Sequence, residues 1–140
     1  MERIVSDASV IVKWFIQEKH SDNALKLRDM HVNGEILIAA PELLPFEVLN
    51  ALKYSQLFTL EELKMAAISL SSYGIELYPL KGKLAEKTVE ISAKKDITIY
   101  DASYIALAQE LETILYTADD KLIRKIGKEY AKNILHVSKI

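Results

Sequence analysis

Cysteine is absent from the 140 residues, and glycine and proline are scarce, with four and three residues respectively. The lack of cysteine excludes a disulfide framework and a thiolate metal site, and it is compatible with a reducing compartment. So few glycines and prolines leave little room for long loops or linkers. We therefore expect a single domain over residues 1–140, long enough to bury roughly two-thirds of the surface that its unfolded chain exposes.

Long apolar runs are absent as well. The first apolar stretch is broken by Ser6, Asp7 and Lys13, and no small-residue cleavage site follows it, so it lacks the pattern of a signal peptide. No segment approaches the roughly 18 uninterrupted apolar residues of a membrane span. We expect a protein that does not enter membranes and that is located in the cytoplasm.

Charge is distributed unevenly, although the formal net charge of −2 does not by itself indicate a nucleic-acid partner. Residues 1–80 contain seven Lys/Arg and eleven Asp/Glu, a balance of −4, whereas residues 81–140 contain eleven and nine, a balance of +2. The second part includes a cluster of five basic residues: Lys121, Arg124, Lys125, Lys128 and Lys132. This cluster either contacts phosphates or is the solvated face of a C-terminal helix.

Strand-like and helical patterns alternate along the chain. Strands are expected at residues 3–6, 35–39, 75–80, 113–117 and 134–137. Helices are expected at residues 8–15, 22–31, 43–54, 60–72, 84–94, 101–111 and 119–128. This alternation predicts an α/β fold, a three-layer α/β/α sandwich with a central parallel sheet.

Three aspartates occupy equivalent places in this pattern. Asp7 ends the first strand and begins a helix, and Asp119 does the same after the strand at 113–117. Asp101 begins a helix after a short apolar stretch. Because ligands bind beyond the carboxyl ends of parallel strands, we expect the three carboxylates to lie close together. The alternative is that each is only a helix cap, since Asp is among the best N-cap residues.

Glu47 has a different context, because nearly every neighbour in LLPFEVLNAL is apolar. A carboxylate on so apolar a helix is expensive to bury without a partner. Three outcomes would remove that cost: a lysine partner such as Lys53 (which lies off the helical stripe of Glu47), an exposed position, or a metal ion shared with other carboxylates.

Clustered carboxylates raise one another's pKa unless a cation holds them ionised. Oxygen ligands without cysteine or clustered histidine indicate Mg²⁺ or Mn²⁺ rather than Zn²⁺, and such ions suit phosphoryl chemistry. We interpret His20, His31 and His136 as isolated surface or hydrogen-bonded residues, because no ligand spacing relates them.

Four segments, in order, resemble the PIN-domain family and in particular its VapC-type toxin nucleases. They are VSDASVIVKWF with Asp7, APELLPFEVLNAL with Glu47, IYDASYIALAQEL with Asp101, and LYTADDKL with Asp119. The resemblance spans nearly the whole chain and implies Mg²⁺- or Mn²⁺-dependent hydrolysis of RNA phosphodiester bonds. It also implies that Asp7, Glu47 and Asp101 are metal ligands, directly or through water, and that Asp119 completes the acidic pocket.

The resemblance gives further residues a role. Ser9 is implied as a donor to a ligand or to phosphate, and Asn50 as a residue that orients a carboxylate; the alternatives are an ordinary helix position and a bond to the backbone. Asp120 is a weaker substitute for Asp119, because the family's motif places the acid directly after Thr-Ala.

Family members of the toxin type also imply a homodimer and a small antitoxin that inserts into the acidic groove. Two alternatives to a ribonuclease stay open: a PIN fold that binds RNA or a partner without cleaving, and a metal-dependent phosphatase or DNase. The four filled acidic positions argue against the first.

Overall fold

The computed structural model describes residues 2–140, in which five strands alternate with seven α-helices. The strands are β1 (Glu2–Ser6), β2 (Ile36–Pro41), β3 (Glu76–Tyr78), β4 (Leu115–Thr117) and β5 (Ile134–His136). The helices are α1 (Ala8–Ile11), α2 (Ser21–Val32), α3 (Leu44–Tyr54), α4 (Leu60–Ser72), α5 (Gly82–Lys95), α6 (Ile99–Glu110) and α7 (Asp120–Ile126). Short 3₁₀ segments cover Val12–Trp14, Lys128–Asn133 and Val137–Lys139.

The strands form one parallel sheet in the order β3-β2-β1-β4-β5, which confirms the predicted sheet. The chain runs outward from β1 to β3 and then returns to build β4 and β5 on the other side of β1. Because crossovers between parallel strands are right-handed, α1–α4 cover one face and α5–α7 the other. This arrangement is the predicted α/β/α sandwich, and its strand order reverses between β1 and β4.

Helix α6 lies at the centre of one layer. It contacts β1, β2 and β4, and α5 packs against it. All residues from 102 to 108 are buried, so the helix needs no continuous polar face. Its first turn is consequently held close to the carboxyl ends of the central strands. Within residues 2–140, no helix combines the length and the apolar character needed to cross a bilayer.

Some element boundaries differ from those expected. The helix predicted from residue 101 begins at Ile99, because Thr98 caps it: the Thr98 hydroxyl accepts a hydrogen bond of 3.0 Å from the Asp101 N–H. The segment 8–15 is α-helical only to Ile11 and continues as a 3₁₀ turn. The helix predicted from residue 84 begins at Gly82. None of these shifts changes the order of elements.

Candidate active site

The carboxyl ends of β1 and β4 lie side by side where the strand order reverses. Ser6 pairs with Tyr116, and the Asp7 N–H extends the ladder by donating to the Tyr116 carbonyl at 3.2 Å. In open α/β sheets, the crevice at such a reversal is where ligands bind. Asp7 and Asp119, which follow these two strands, therefore flank this crevice.

Asp7 is a buried carboxylate, 8% exposed, at the N-cap of α1. Its Oδ1 accepts hydrogen bonds from the Ser9 N–H at 3.0 Å and from the Ser9 hydroxyl at 2.5 Å. Burial raises the pKa of Asp7 to about 6; hydrogen bonds from Ser9 and Thr117 act in the opposite direction, and the charge of Asp101 adds to the rise. Asp7 thus caps a helix, while burial and the charge of Asp101 destabilise its ionised form.

Ser9 links the two strand ends that form the crevice. While its hydroxyl donates to Asp7, the same oxygen accepts a hydrogen bond of 2.9 Å from the Ala118 N–H. It also lies 3.5 Å from the Thr117 hydroxyl. Ser9 therefore holds the turn after β1 against the turn after β4, with the Asp7 carboxylate between them.

Glu47 has a partner that its sequence context did not indicate. It is half-buried in the first turn of α3, and its Oε1 accepts a hydrogen bond of 2.7 Å from the Tyr104 hydroxyl on α6. The pKa of Glu47 lies above its ordinary value. Burial is the main cause and the charge of Asp101 adds to the rise, whereas the hydrogen bond from Tyr104 acts in the opposite direction. A lysine partner is wrong, since the exposed Lys53 ammonium lies 5.2 Å from the centre of the Tyr54 ring.

Asp101 is the third residue of α6, so the alternative that it caps this helix is wrong. Thr98 is the cap, and its hydroxyl accepts a hydrogen bond from the Asp101 backbone N–H. Burial raises the pKa of the half-buried Asp101 carboxyl, the charge of Asp119 raises it further, and contact with Thr98 lowers it.

Asp119 is exposed and caps α7, as the cap alternative expects. Its Oδ1 accepts a hydrogen bond of 3.0 Å from the Leu122 N–H, and its own N–H donates to the Thr117 hydroxyl at 3.1 Å. Its charge nevertheless acts on the pKa of Asp101, so capping is not its whole effect. Asp120 instead contacts His136, with Oδ1 at 3.5 Å from Nε2.

The four carboxylates are coupled through Asp101, whose charge acts on the pKa of Asp7 and Glu47 and which is itself affected by Asp119. Among residues 2–140, no basic side chain forms an ion pair with any of the four. In the same part of the chain, no three acidic or histidine side chains are close enough together to enclose a metal ion.

This open set of oxygen donors suits a hydrated hard cation. Mg²⁺ keeps several of its own waters and is held by only one or two carboxylates in many sites. A divalent ion would also reverse the unfavourable coupling, because it stabilises the ionised form of every carboxyl group near it. The residues of the crevice therefore fit a hydrated divalent cation.

The sequence model of one family, described as "PIN domain", matches residues 4–129. The chain belongs to the PIN-domain family. Over 130 residues it is 34% identical to the protein named "Ribonuclease VapC1" from Mycobacterium tuberculosis. The aligned region covers 91% of this chain and 93% of that protein.

Two solved structures share the PIN fold with this chain. The "Toxin-antitoxin complex from Klebsiella pneumoniae" superposes with a TM-score of 0.67 at 16% identity, covering 96% of this chain and 97% of that one. FitAcB from Neisseria gonorrhoeae has a TM-score of 0.69 at 14% identity, covering 98% and 99%. At such low identities the likeness shows the fold alone.

Asn50 lies one turn after Glu47 in this PIN domain and is exposed. No hydrogen bond of its amide occurs among residues 2–140. Asn50 is therefore not gathered with the carboxylates through a direct contact, and its role in orienting one of them stays a prediction. The five basic residues of the C-terminal cluster are all exposed, as both of their interpretations require.

The histidines of the PIN domain differ from one another. His31 is buried, its Nδ1 accepts a hydrogen bond of 3.0 Å from the Ile38 N–H, and its Nε2 lies 2.6 Å from the Tyr73 carbonyl oxygen. His20 and His136 are in edge-to-face contact, with ring centroids 5.1 Å apart. The interpretation of these two as isolated is wrong, because the start of α2 and the end of β5 meet.

Proposed function

We propose that this chain, as one PIN domain over residues 1–140, is a VapC-type ribonuclease that hydrolyses RNA phosphodiester bonds with Mg²⁺ or Mn²⁺. The observation that carries the proposal is the placement of four carboxylates from four separate segments. Asp7 and Asp119 follow the paired ends of β1 and β4, Asp101 lies in the first turn of α6, and Glu47 is bonded to α6 through Tyr104. The buried Asp7 and the half-buried Glu47 and Asp101 are costly to keep ionised when no cation compensates them. A divalent cation would neutralise their charge and would at the same time bind an RNA phosphate.

In this proposal Asp7, Glu47 and Asp101 hold the ion, and Asp119 completes the pocket. A bound Mg²⁺ or Mn²⁺ supplies an activated water and neutralises charge on the phosphate. Ser9 and Tyr104 fix two of the carboxylates through their hydroxyl groups. Because both donors belong to the folded chain, these carboxylates are oriented before an ion arrives.

We further propose that the chain is a cytoplasmic toxin that forms a homodimer and is inhibited by a small antitoxin. The solved structure from Klebsiella pneumoniae, described as a toxin–antitoxin complex, supports the antitoxin. An exposed apolar surface on and between α3 and α4 supports a protein interface. This α3–α4 face consists of residues that are each 65–70% exposed: Tyr54, Leu57, Leu60, Met65 and Ile68.

The test of the ribonuclease is incubation of labelled RNA and DNA with Mg²⁺, Mn²⁺ or EDTA. We expect RNA to be cut with either ion, leaving 5′-phosphates, and EDTA to stop the reaction. Asp7→Asn should lower the rate at least about 100-fold, more than the loss of an outer-shell contact does. The matched control Asp120→Asn, on the neighbouring turn, should behave as wild type.

Other results would redirect the assignment. RNA cleavage that Asp7→Asn leaves intact would remove the crevice as the active site. Cleavage restricted to DNA would make the protein a DNase. RNA binding without cleavage under every metal condition would favour a binding module that uses the same fold.

A further inference from the structure

A recess opens beside the acidic crevice, between α5, α6 and the ends of β2 and β3. Its volume is about 140 Å³, and its walls are largely apolar. The principal lining residues are Pro41, Leu43, Tyr78, Leu80, Leu84 and Tyr100. Tyr100 directly precedes Asp101 in the first turn of α6, so the recess adjoins the carboxylates.

The volume of the recess is close to that of a cavity that admits one aromatic ring. An apolar protein cavity of about 150 Å³ admits a benzene molecule, which is close to the size of a single pyrimidine ring. Tyr100 is 61% exposed and lines the recess, so solvent and ligands reach its ring at this site. Leu80 and Ile99, which also line it, are exposed as well.

Two lysines close in sequence to the lining residues indicate which class of molecule binds. Lys81 and Lys83 lie between the lining residues Leu80 and Leu84 at the start of α5, and both are exposed. Neither forms an ion pair with another residue between 2 and 140. Glu42 also lines the recess, as its only acidic member among those residues. An apolar slot with basic groups beside it complements a nucleotide, which joins a flat base to an anionic phosphate.

We propose that this recess, the base pocket, binds one nucleobase of the RNA strand beside the scissile phosphate, with Tyr100 as its stacking surface. The inference rests on the proposed ribonuclease function and assigns to it a determinant of sequence preference. Proteins that read single-stranded RNA hold unstacked bases against aromatic side chains. Lys81 and Lys83 contact the phosphates that flank this base, while Asp101 faces the bond that is cut.

The test measures binding apart from cleavage, in the Asp7→Asn background with Mg²⁺. Fluorescence anisotropy compares a labelled RNA octamer with a series in which one abasic nucleotide is moved along the strand. We expect affinity to fall about 5- to 150-fold when the abasic nucleotide occupies one particular position, the range that stacking of one base on an aromatic ring supports.

Three further substitutions in that background locate the effect. Tyr100→Ala should weaken binding of the intact RNA by a similar factor and should abolish the penalty of the abasic position. Tyr100→Phe, which keeps the ring, should retain the wild-type affinity for intact RNA and the penalty of the abasic position. Val32→Ala is the control, because Val32 is an apolar residue that is 62% exposed, does not line the pocket and lies outside the α3–α4 face.

Unchanged affinity of Tyr100→Ala for RNA would overturn the proposal. The pocket would then be a site for a side chain of a protein partner. The proposal also fails if the abasic penalty persists in Tyr100→Ala, or if Val32→Ala weakens binding equally. These results are independent of the ribonuclease assignment, which depends on cleavage by the chain with Asp7 intact.

Discussion

The Tyr104 hydroxyl donates a hydrogen bond of 2.7 Å to Glu47 Oε1 and joins α6 to α3. The two helices belong to opposite layers of the sandwich, so the bond connects these layers beside Glu47. Tyr104 is 2% exposed. Burial raises the pKa of its phenol, and the charge and hydrogen bond of Glu47 raise it further, which keeps the hydroxyl protonated as a donor.

Replacement of Tyr104 by phenylalanine tests this contact. We expect Tyr104→Phe to lower the free energy of unfolding by about 1.5–3 kcal/mol, since a bond to a charged group is lost. We also expect a 10- to 100-fold rise (about the effect of losing an outer-shell partner) in the Mg²⁺ concentration needed for RNA cleavage. Urea unfolding and a Mg²⁺ titration of the cleavage rate measure the two effects.

Tyr130→Phe is the matched control, because Tyr130 is also buried and its hydroxyl makes no hydrogen bond to another residue between 2 and 140. It should leave the Mg²⁺ dependence unchanged. If Tyr104→Phe is destabilised but retains the wild-type Mg²⁺ dependence, the bond supports the fold and has no part in positioning Glu47.

The order of the elements and the sheet edge that bears Asp7 and Asp119 were predictable, because period and turn residues are local signals. The bond between Glu47 and Tyr104 was not, because the two residues are far apart in sequence and no periodic pattern relates them. A weaker signal was present: Tyr104 follows Asp101 by one helical turn, so its hydroxyl shares a face with an acid.

The start of α6 shows a different kind of error. Asp101 is a good capping residue, but Thr98 stands three residues before it, and a Thr followed at that spacing by an acid is itself a capping pattern. Thr98 and Ile99 were assigned to a short apolar stretch before the helix, and the capping pattern within it was missed. The contact of His20 with His136 was beyond local reasoning, because it depends on how β5 and α2 meet.

Ser9 offers a second test of how the crevice is held. Ser9→Ala removes the donor to Asp7 and the acceptor of the Ala118 N–H. We expect a loss of about 1–3 kcal/mol in the free energy of unfolding, because a backbone donor is left without its partner. Cleavage should fall about 10-fold or more. Ser71→Ala, whose hydroxyl only bonds the Ala67 carbonyl of its own helix, should change neither.

Asp7 predicts a specific dependence of stability on pH. Its pKa is about 6 in the folded protein and 3.8 in its ordinary state, so the folded chain binds more protons between these values. Without metal, the free energy of unfolding should therefore fall as pH rises from about 4 to 6, by on the order of 2–3 kcal/mol. Glu47 and Asp101 act in the same direction, since burial raises the pKa of each.

Asp7→Asn should remove most of this fall and should be more stable than wild type at pH 7.5 in EDTA. Saturating Mg²⁺ should reverse the order by stabilising wild type. Thermal unfolding across pH, with and without the ion, makes the comparison. Wild-type stability that does not change between pH 4 and 7 would contradict the raised pKa.

The α3–α4 face predicts the oligomeric state. Ile68→Lys places a charge on this face, at a residue that is 65% exposed in the single chain. We expect a dimer of the wild type to become monomeric, because a lysine is costly to bury without a partner. Sedimentation velocity measures the change. Val89→Lys, at a comparably exposed apolar residue of α5, is the control and should stay dimeric; a dimer that survives Ile68→Lys places the interface elsewhere.

Asp119 combines a cap with a charge, and two substitutions separate these contributions. Asp119→Asn retains an oxygen that can accept from the Leu122 N–H, and Asn caps helices as well as Asp does. It should therefore keep wild-type stability but lower the rate of RNA cleavage at least about 10-fold, if the charge takes part in holding the ion. Asp119→Ala should show the same loss of rate and an additional loss of about 0.5–2 kcal/mol in the free energy of unfolding.

Chemical unfolding and Mg²⁺-dependent cleavage, measured on both variants, separate the two effects. Wild-type cleavage by Asp119→Asn would reduce Asp119 to its cap and leave three carboxylates to bind the ion.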